Sequence, residues 1–313
     1  MRSMRRFQVA LLIGTLTCSP VICGAQITLA LTKGFVKKYK DKATISTSLK
    51  VDQHHDHPNA VVDDGDVHMA GRDTVVLLPM VAEIINGRLE SDTMQFLMQT
   101  SPGQKVDLTG VWRLWFEHPG SQDQTQGQTV LTPKNSNPNH LFEIHPITNF
   151  GGFNCLDSFL PIVDKPTNPT EEFRGYPATT AFPYYDQRTI TISRSNTAIM
   201  LTSSRAFYNY AEFFIKLAEK PKDVGDGYIV SAQVSATKGF EPPLVDGNRR
   251  MIFAKGSPSA DAVKNLGKGD KLHVLGIPRV NLNKVFEIAS KLAIDEEQDD
   301  ALPYEMIIVA VLK

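Results

Sequence analysis

The chain has 313 residues, 33 basic against 34 acidic, with 42% apolar residues. That composition supports real globular cores, and the near-neutral charge argues against generic nucleic-acid binding, which needs a basic surface. The length suits two domains.

In chain order, residues 1–25 read as a secretory signal peptide. Arg2, Arg5 and Arg6 form a positive start, and Phe7 to Leu16 is an apolar stretch too short to span a bilayer. Cys23 and Ala25 are small residues where a signal peptidase reads, so cleavage before Gln26 is expected. Cleavage leaves 30 basic and 34 acidic residues, since it removes three arginines and no acid. No later apolar run reaches membrane-spanning length, so the mature chain is expected to be soluble, in a periplasm or outside the cell. Of Cys18, Cys23 and Cys155, only Cys155 outlasts cleavage. It reads as a small buried hydrophobe with no internal disulfide.

Residues 26–150 carry the pattern of a small barrel. Ala43, Ile45, Thr47 and Leu49 alternate with polar residues, which predicts a strand over 42–50. Further strands are expected at 66–72, 74–85, 106–118 and 141–148, with a helix at 91–99. Five strands with a helix between the third and fourth is the order of an OB-like five-stranded barrel. Residues 52–66 form a loop rich in His and Asp, and 119–139 form a long polar loop. Residues 151–187 hold Pro161, Pro166, Pro169, Pro177 and Pro183, and read as a linker or wrapping segment.

Residues 188–313 read as a second, β-rich domain with one or two helices. The class is mainly β shading into α+β, with a second OB-like barrel as the finer alternative. Strands are expected at 188–193, 198–202, 228–236, 251–254, 269–276, 285–290 and 305–312. The spacing of Phe207, Tyr210, Ala211, Phe214 and Leu217 predicts a helix over 205–219. Ser257 as cap and Pro258 at the first position predict a short helix. Asp295 to Asp300 reads as an acidic loop. No sequence repeat between the halves is evident.

Three runs in the first half occur in a suggestive order. They are Asp63-Asp64-Gly65-Asp66-Val67-His68, then Gly110-Val111-Trp112 with Glu117-His118-Pro119, then Phe142-Glu143-Ile144-His145-Pro146-Ile147-Thr148. They resemble an uncharacterised group of bacterial exported proteins with an OB-like domain, in which a DGDxH strand precedes a GxW…EH strand and a closing EIHPVT strand. Phe142 stands where that pattern has Trp, and Ile147 where it has Val. The resemblance covers residues 40–150. It implies a fold and no activity, since a fold alone does not fix function.

The same runs hold the candidate chemistry. His54, His55, His57, His68, His118 and His145 all lie in the first half. Asp66 and His68 share a strand face, as do Glu143 and His145. Imidazole with carboxylate suits zinc or manganese, so His68, His118, His145, Asp66 and Glu143 are the candidate metal ligands. A structural network of the same groups fixing strand register is the blander alternative, and a pH-sensing cluster a third. Trp112 and Arg113 are the candidate contacts for a polymer or protein ligand across the barrel face. Walker A, GxGxxG, GxSxG and HExxH patterns are absent. The preferred reading is a non-enzymatic exported binding or scaffolding module. The alternative is a metal-dependent hydrolase or phosphodiesterase, with Glu143 or Glu117 as base.

Overall fold

The computed structural model describes residues 25–165, 167–168 and 170–313. The signal-peptide reading falls, Ala25 apart, outside the described residues.

The elements in chain order are β1 (Gln26–Thr32), α1 (Lys33–Tyr39), β2 (Thr44–His54), β3 (Val67–Arg72), β4 (Met80–Ile84), α2 (Ser91–Met98), β5 (Gln104–His118) and β6 (His140–Phe150). Then follow α3 (Ala178–Asp186), β7 (Thr189–Arg194), β8 (Ala198–Ser204), β9 (Ala211–Leu217), β10 (Gly227–Ser235) and β11 (Arg249–Ala254). The last are α4 (Pro258–Val263), β12 (Lys271–Val280), α5 (Leu282–Lys291), β13 (Glu297–Ala301) and β14 (Tyr304–Leu312).

Strands β2 to β6 close into a barrel. β2 pairs with β3, β3 with β4, β4 with β6 in parallel, β6 with β5, and β5 back with β2. Strands β9, β10, β11, β12 and β14 repeat that circuit, with β11 and β14 as the parallel pair. Each circuit is the OB order, with a helix between its third and fourth strands. The expected second OB-like barrel is therefore present.

A third, open sheet joins the two halves of the sequence. β1 lies against β8, β8 against β7, and β7 against β13, all antiparallel. Gln124–Thr125, inside the predicted loop, adds to its other edge. Asp295–Asp300 is thus not a free loop, because β13 is an exposed edge strand of this sheet.

Two helix and strand readings are reversed. Residues 205–219 contain β9, where Ala211, Phe213, Ile215 and Leu217 are buried and the residues between face out. Period-two burial of β-branched and aromatic residues overrode a coincidental helical spacing. Residues 285–290 belong to α5, capped by the Asn281 side chain accepting from the Lys284 N–H. Leu282, Val285, Ile288 and Ala289 form its buried stripe. The strand predicted at 74–85 starts only at Met80. The Asp73 carboxylate accepts the N–H groups of Val75, Val76 and Leu77 and holds them in a turn.

The barrels meet along a seam. Val111 and Ile85 from barrel one pack with Leu275, Ile277, Ile307 and Val309 from barrel two in one apolar cluster. Tyr210, just before β9, belongs to the same cluster.

Candidate functional site

At the seam each barrel places an arginine on its fourth strand opposite a glutamate on its fifth. Arg113 is the register partner of Glu143, and Arg279 of Glu305. The pairs are 2.5 and 2.7 Å long and fully buried. Each arginine also reaches across the seam. Arg113 Nε donates to the Pro278 carbonyl at 3.0 Å, and Arg279 Nη1 donates to the Trp112 carbonyl at 3.0 Å. Each acceptor immediately precedes the other arginine, so the contact is reciprocal, as at a two-fold interface. The matching sequences are Gly110-Val111-Trp112-Arg113 and Gly276-Ile277-Pro278-Arg279. A Cβ on Gly110 would lie 2.7 Å from the Pro146 carbonyl, and one on Gly276 2.9 Å from that of Ile307, so both sites require glycine.

Around Glu143, barrel one departs from this common plan. His145 lies between Asp66 and Glu83. Its Nε2 is 3.3 Å from Asp66, and its Nδ1 is 3.1 Å from Glu83. Tyr210 donates to Asp66 at 2.7 Å and stands 3.0 Å from His145 Nε2. His140 contacts Glu143 at 3.0 Å, and His68 lies 3.5 Å from Glu83. Arg113 also holds Glu117 at 2.8 Å.

Burial dominates the electrostatics. It pushes Glu83 well above the carboxylate range, raises Asp66, lifts Asp64 to about 7 and drives His68 down to about 3. Burial also opposes charge on His145, but the Glu83 and Asp66 carboxylates outweigh it and hold the imidazole well above its usual range. Burial would raise Glu143 as well, yet Arg113 keeps it well below. Asp66 Oδ1 has no hydrogen-bond partner, although the side chain is fully buried, and His145 Nδ1 meets only the carboxylates of Glu83 and Glu143.

Among the described residues, three overlapping groups could hold a metal ion: Asp64 with Asp66 and His68, Asp66 with Glu83 and His145, and Glu83 with His140 and Glu143. Four of the five predicted ligands, Asp66, His68, Glu143 and His145, therefore fall in these groups. His118 does not, since its ring stacks on His140 at 5.1 Å. Of the loop histidines, His55 stacks on His68 at 4.7 Å, and His54 bonds to the His55 carbonyl. Glu83, His140, Asp64 and Tyr210 were missed. The His140-x-x-Glu143 spacing and a lone acid in the apolar run of β4 were readable signals. Tyr210 lies 144 residues from Asp66 and gave none.

The two predicted ligand contacts are corrected. Trp112 is buried, with its indole N–H donating to the Lys42 carbonyl and the Arg279 guanidinium 3.5 Å from its ring centre. Arg113 is clamped between Glu143 and Glu117. Neither has surface left for a ligand. Cys155 is buried as expected, and burial pushes its thiol up to about 12.

The outward opening beside the cluster is a groove of about 630 Å³. Tyr210, Asp64 and Glu117 line it together with Tyr176, Phe207 and Tyr208.

Counting outward from the matched Arg–Glu pairs along the strand registers, Asp66, His68, Glu83 and His145 correspond to Gly227, Ile229, Ile252 and Ile307. The arginine–glutamate pair is common to both barrels, while the ionisable cluster belongs to barrel one alone.

No family model matches the sequence, and no curated protein matches it. Among solved structures, a single-stranded DNA binding protein from Thermus aquaticus aligns over 87% of this chain and 91% of its own, at 10% identity and a TM-score of 0.21. At that score the two chains share too little geometry for any inference to pass between them.

Proposed function

We propose that this chain is an exported binding protein, in which the seam face of barrel one is the working surface and barrel two its structural partner. One observation carries the reading: the ionisable groups at Asp66, His68, Glu83 and His145 have apolar counterparts in a barrel of the same topology. The fold therefore does not require them, and burying them is costly. The groove beside them replaces Trp112 and Arg113 as the ligand surface, for a polymer or a protein. Export rests on the basic start and short apolar stretch of residues 1–25. A photo-crosslinking residue at Phe207, in the natural host, should give adducts of higher mass, and one at exposed Lys238 on barrel two should not. Equal yields, or none at Phe207, would remove the reading.

A second reading is favoured by the buried Asp66 Oδ1, which has no hydrogen-bond partner. Asp66, Glu83 and His145 would hold zinc or manganese in a metal-dependent hydrolase or phosphodiesterase. The site is buried behind Tyr210, and Glu143 is tied to Arg113, which suits it poorly as a base. Plasma mass spectrometry of the untagged protein should find a stoichiometric ion that Glu83→Gln loses. Metal-free protein as isolated, taking up neither ion, would end this reading.

A further inference from the structure

The groove on barrel one differs from a charged cleft in its mix of side chains. Tyr176 and Phe207 are large aromatics left 49% and 46% exposed. Tyr176 packs edge-on against Tyr208 with ring centres 4.8 Å apart, and Tyr208 against Tyr184 at 4.8 Å. The result is a fixed aromatic wall rather than scattered surface residues.

Tyr208 is held in a strained backbone. Its φ is +67°, the left-handed region that a bulky residue seldom enters. The Tyr185 hydroxyl donates to its carbonyl and secures that conformation. Strain of this kind persists where surrounding contacts enforce it, and it gathers at binding sites. The next residue, Asn209, lines the groove and keeps a side-chain oxygen with no hydrogen-bond partner.

The charges facing the groove are mainly acidic. Asp63, Asp64 and Glu117 line it, and among the described residues Arg174 is the one cation in its lining. Arg174 stays 63% exposed and lies 3.3 Å from Glu172 and 3.6 Å from Glu212, so those acids offset its charge in part. Arg205, at the edge, donates to the Glu117 carbonyl and lies over the Phe207 ring at 4.8 Å. The acids outnumber the arginines around the groove, with Glu172 and Glu212 beside Arg174, and that balance disfavours a polyanion.

Resting on the binding reading above, we infer that the groove takes a neutral polysaccharide, with sugar faces against Tyr176 and Phe207 and hydroxyls donating to the carboxylates. Aromatic rings offer an apolar face to sugar C–H groups, and carboxylates accept hydroxyl protons in charge-assisted bonds. A volume of about 630 Å³ is in the range of ligand pockets and matches a few sugar units.

The test is affinity electrophoresis of the mature chain from Gln26. Gels carry dextran, galactomannan, xyloglucan or polygalacturonate, with a single-stranded oligonucleotide run in parallel as a gel shift. At least one neutral polysaccharide should retard the protein. Tyr176→Ala and Phe207→Ala, both at exposed positions, should weaken that binding about tenfold or more with circular dichroism unchanged. Binding confined to polygalacturonate or the oligonucleotide would overturn the inference, as would retardation that survives both substitutions. Absence of any retardation also overturns it. In that case adducts at Phe207 in the crosslinking experiment would still uphold the binding reading, with a protein as the partner.

Discussion

Barrel one and barrel two share a circuit of strands, a buried arginine–glutamate pair at the seam, and a glycine three residues before that arginine. They differ at the positions flanking the pair. Barrel two fills them with Gly227, Ile229, Ile252 and Ile307, and barrel one with Asp66, His68, Glu83 and His145. The shared pair belongs to the architecture, because it also supplies the reciprocal bonds that join the barrels. The isoleucines contribute by burial alone, whereas the ionisable set must offset its own desolvation through mutual contacts. A network kept in one barrel and dispensed with in the other points to a role outside folding.

The largest expected effect tests that contrast directly. His145→Leu leaves Asp66 and Glu83 facing each other in the interior without their cation. It should cost about 3–5 kcal/mol in urea unfolding with chelator present. Ile307→Leu, at the equivalent place in barrel two, should cost under about 1.5 kcal/mol. Equal losses would break the comparison. The triple change Asp66→Gly/Glu83→Ile/His145→Ile writes three of barrel two's four residues into barrel one and leaves the neutral, half-buried His68. It should return stability to within about 2 kcal/mol of the parent or above it, since replacing a buried ion triad by apolar groups is often neutral or stabilising. A triple variant as unstable as His145→Leu would mean that barrel one has come to depend on its polar network.

The sequence displayed the first barrel well, because its first strand alternates cleanly, its later strands are apolar runs, and its helix falls at the OB position. The second barrel was harder to read. Its first strand, AEFFIKL, follows aromatic residues whose spacing imitates a helix, and its last helix carries Val285, Phe286 and Ile288 in a run that imitates a strand. The seam repeat was hidden for a different reason. Only Gly110, Arg113 and Glu143 recur in identity, as Gly276, Arg279 and Glu305, and the register that aligns them is a property of pairing between distant strands. The histidines and acids of the runs at 63–68 and 143–145 announced the cluster. The exposed groove could not be read at all, since its wall comes from residues 173–176 and 205–210, which meet barrel one only in three dimensions.

The smallest expected effect lies where the two barrels start their third-to-fourth helices. In barrel two Ser257 caps α4, its hydroxyl accepting from the Ala260 N–H at 3.1 Å. In barrel one Glu90 precedes α2 with no capping bond, and its buried Oε1 has no partner. Ser257→Ala should therefore cost about 0.5–2 kcal/mol. Glu90 should behave oppositely, and with a pH signature. Burial, then the nearby Asp157, raises its pKa from 4.5 to about 7. Below pH 4.5 the carboxyl is protonated in both folded and unfolded chains and contributes no penalty. Between pH 4.5 and about 7 the unfolded chain releases its proton while the folded one retains it, so stability falls as pH rises and levels off above 7. Glu90→Gln keeps the neutral shape and removes this decline. Its melting temperature should equal the parent's at pH 4 and exceed it by pH 8. A constant difference across that range would show that Glu90 ionises as freely folded as unfolded, and the two helix starts would then differ in capping alone.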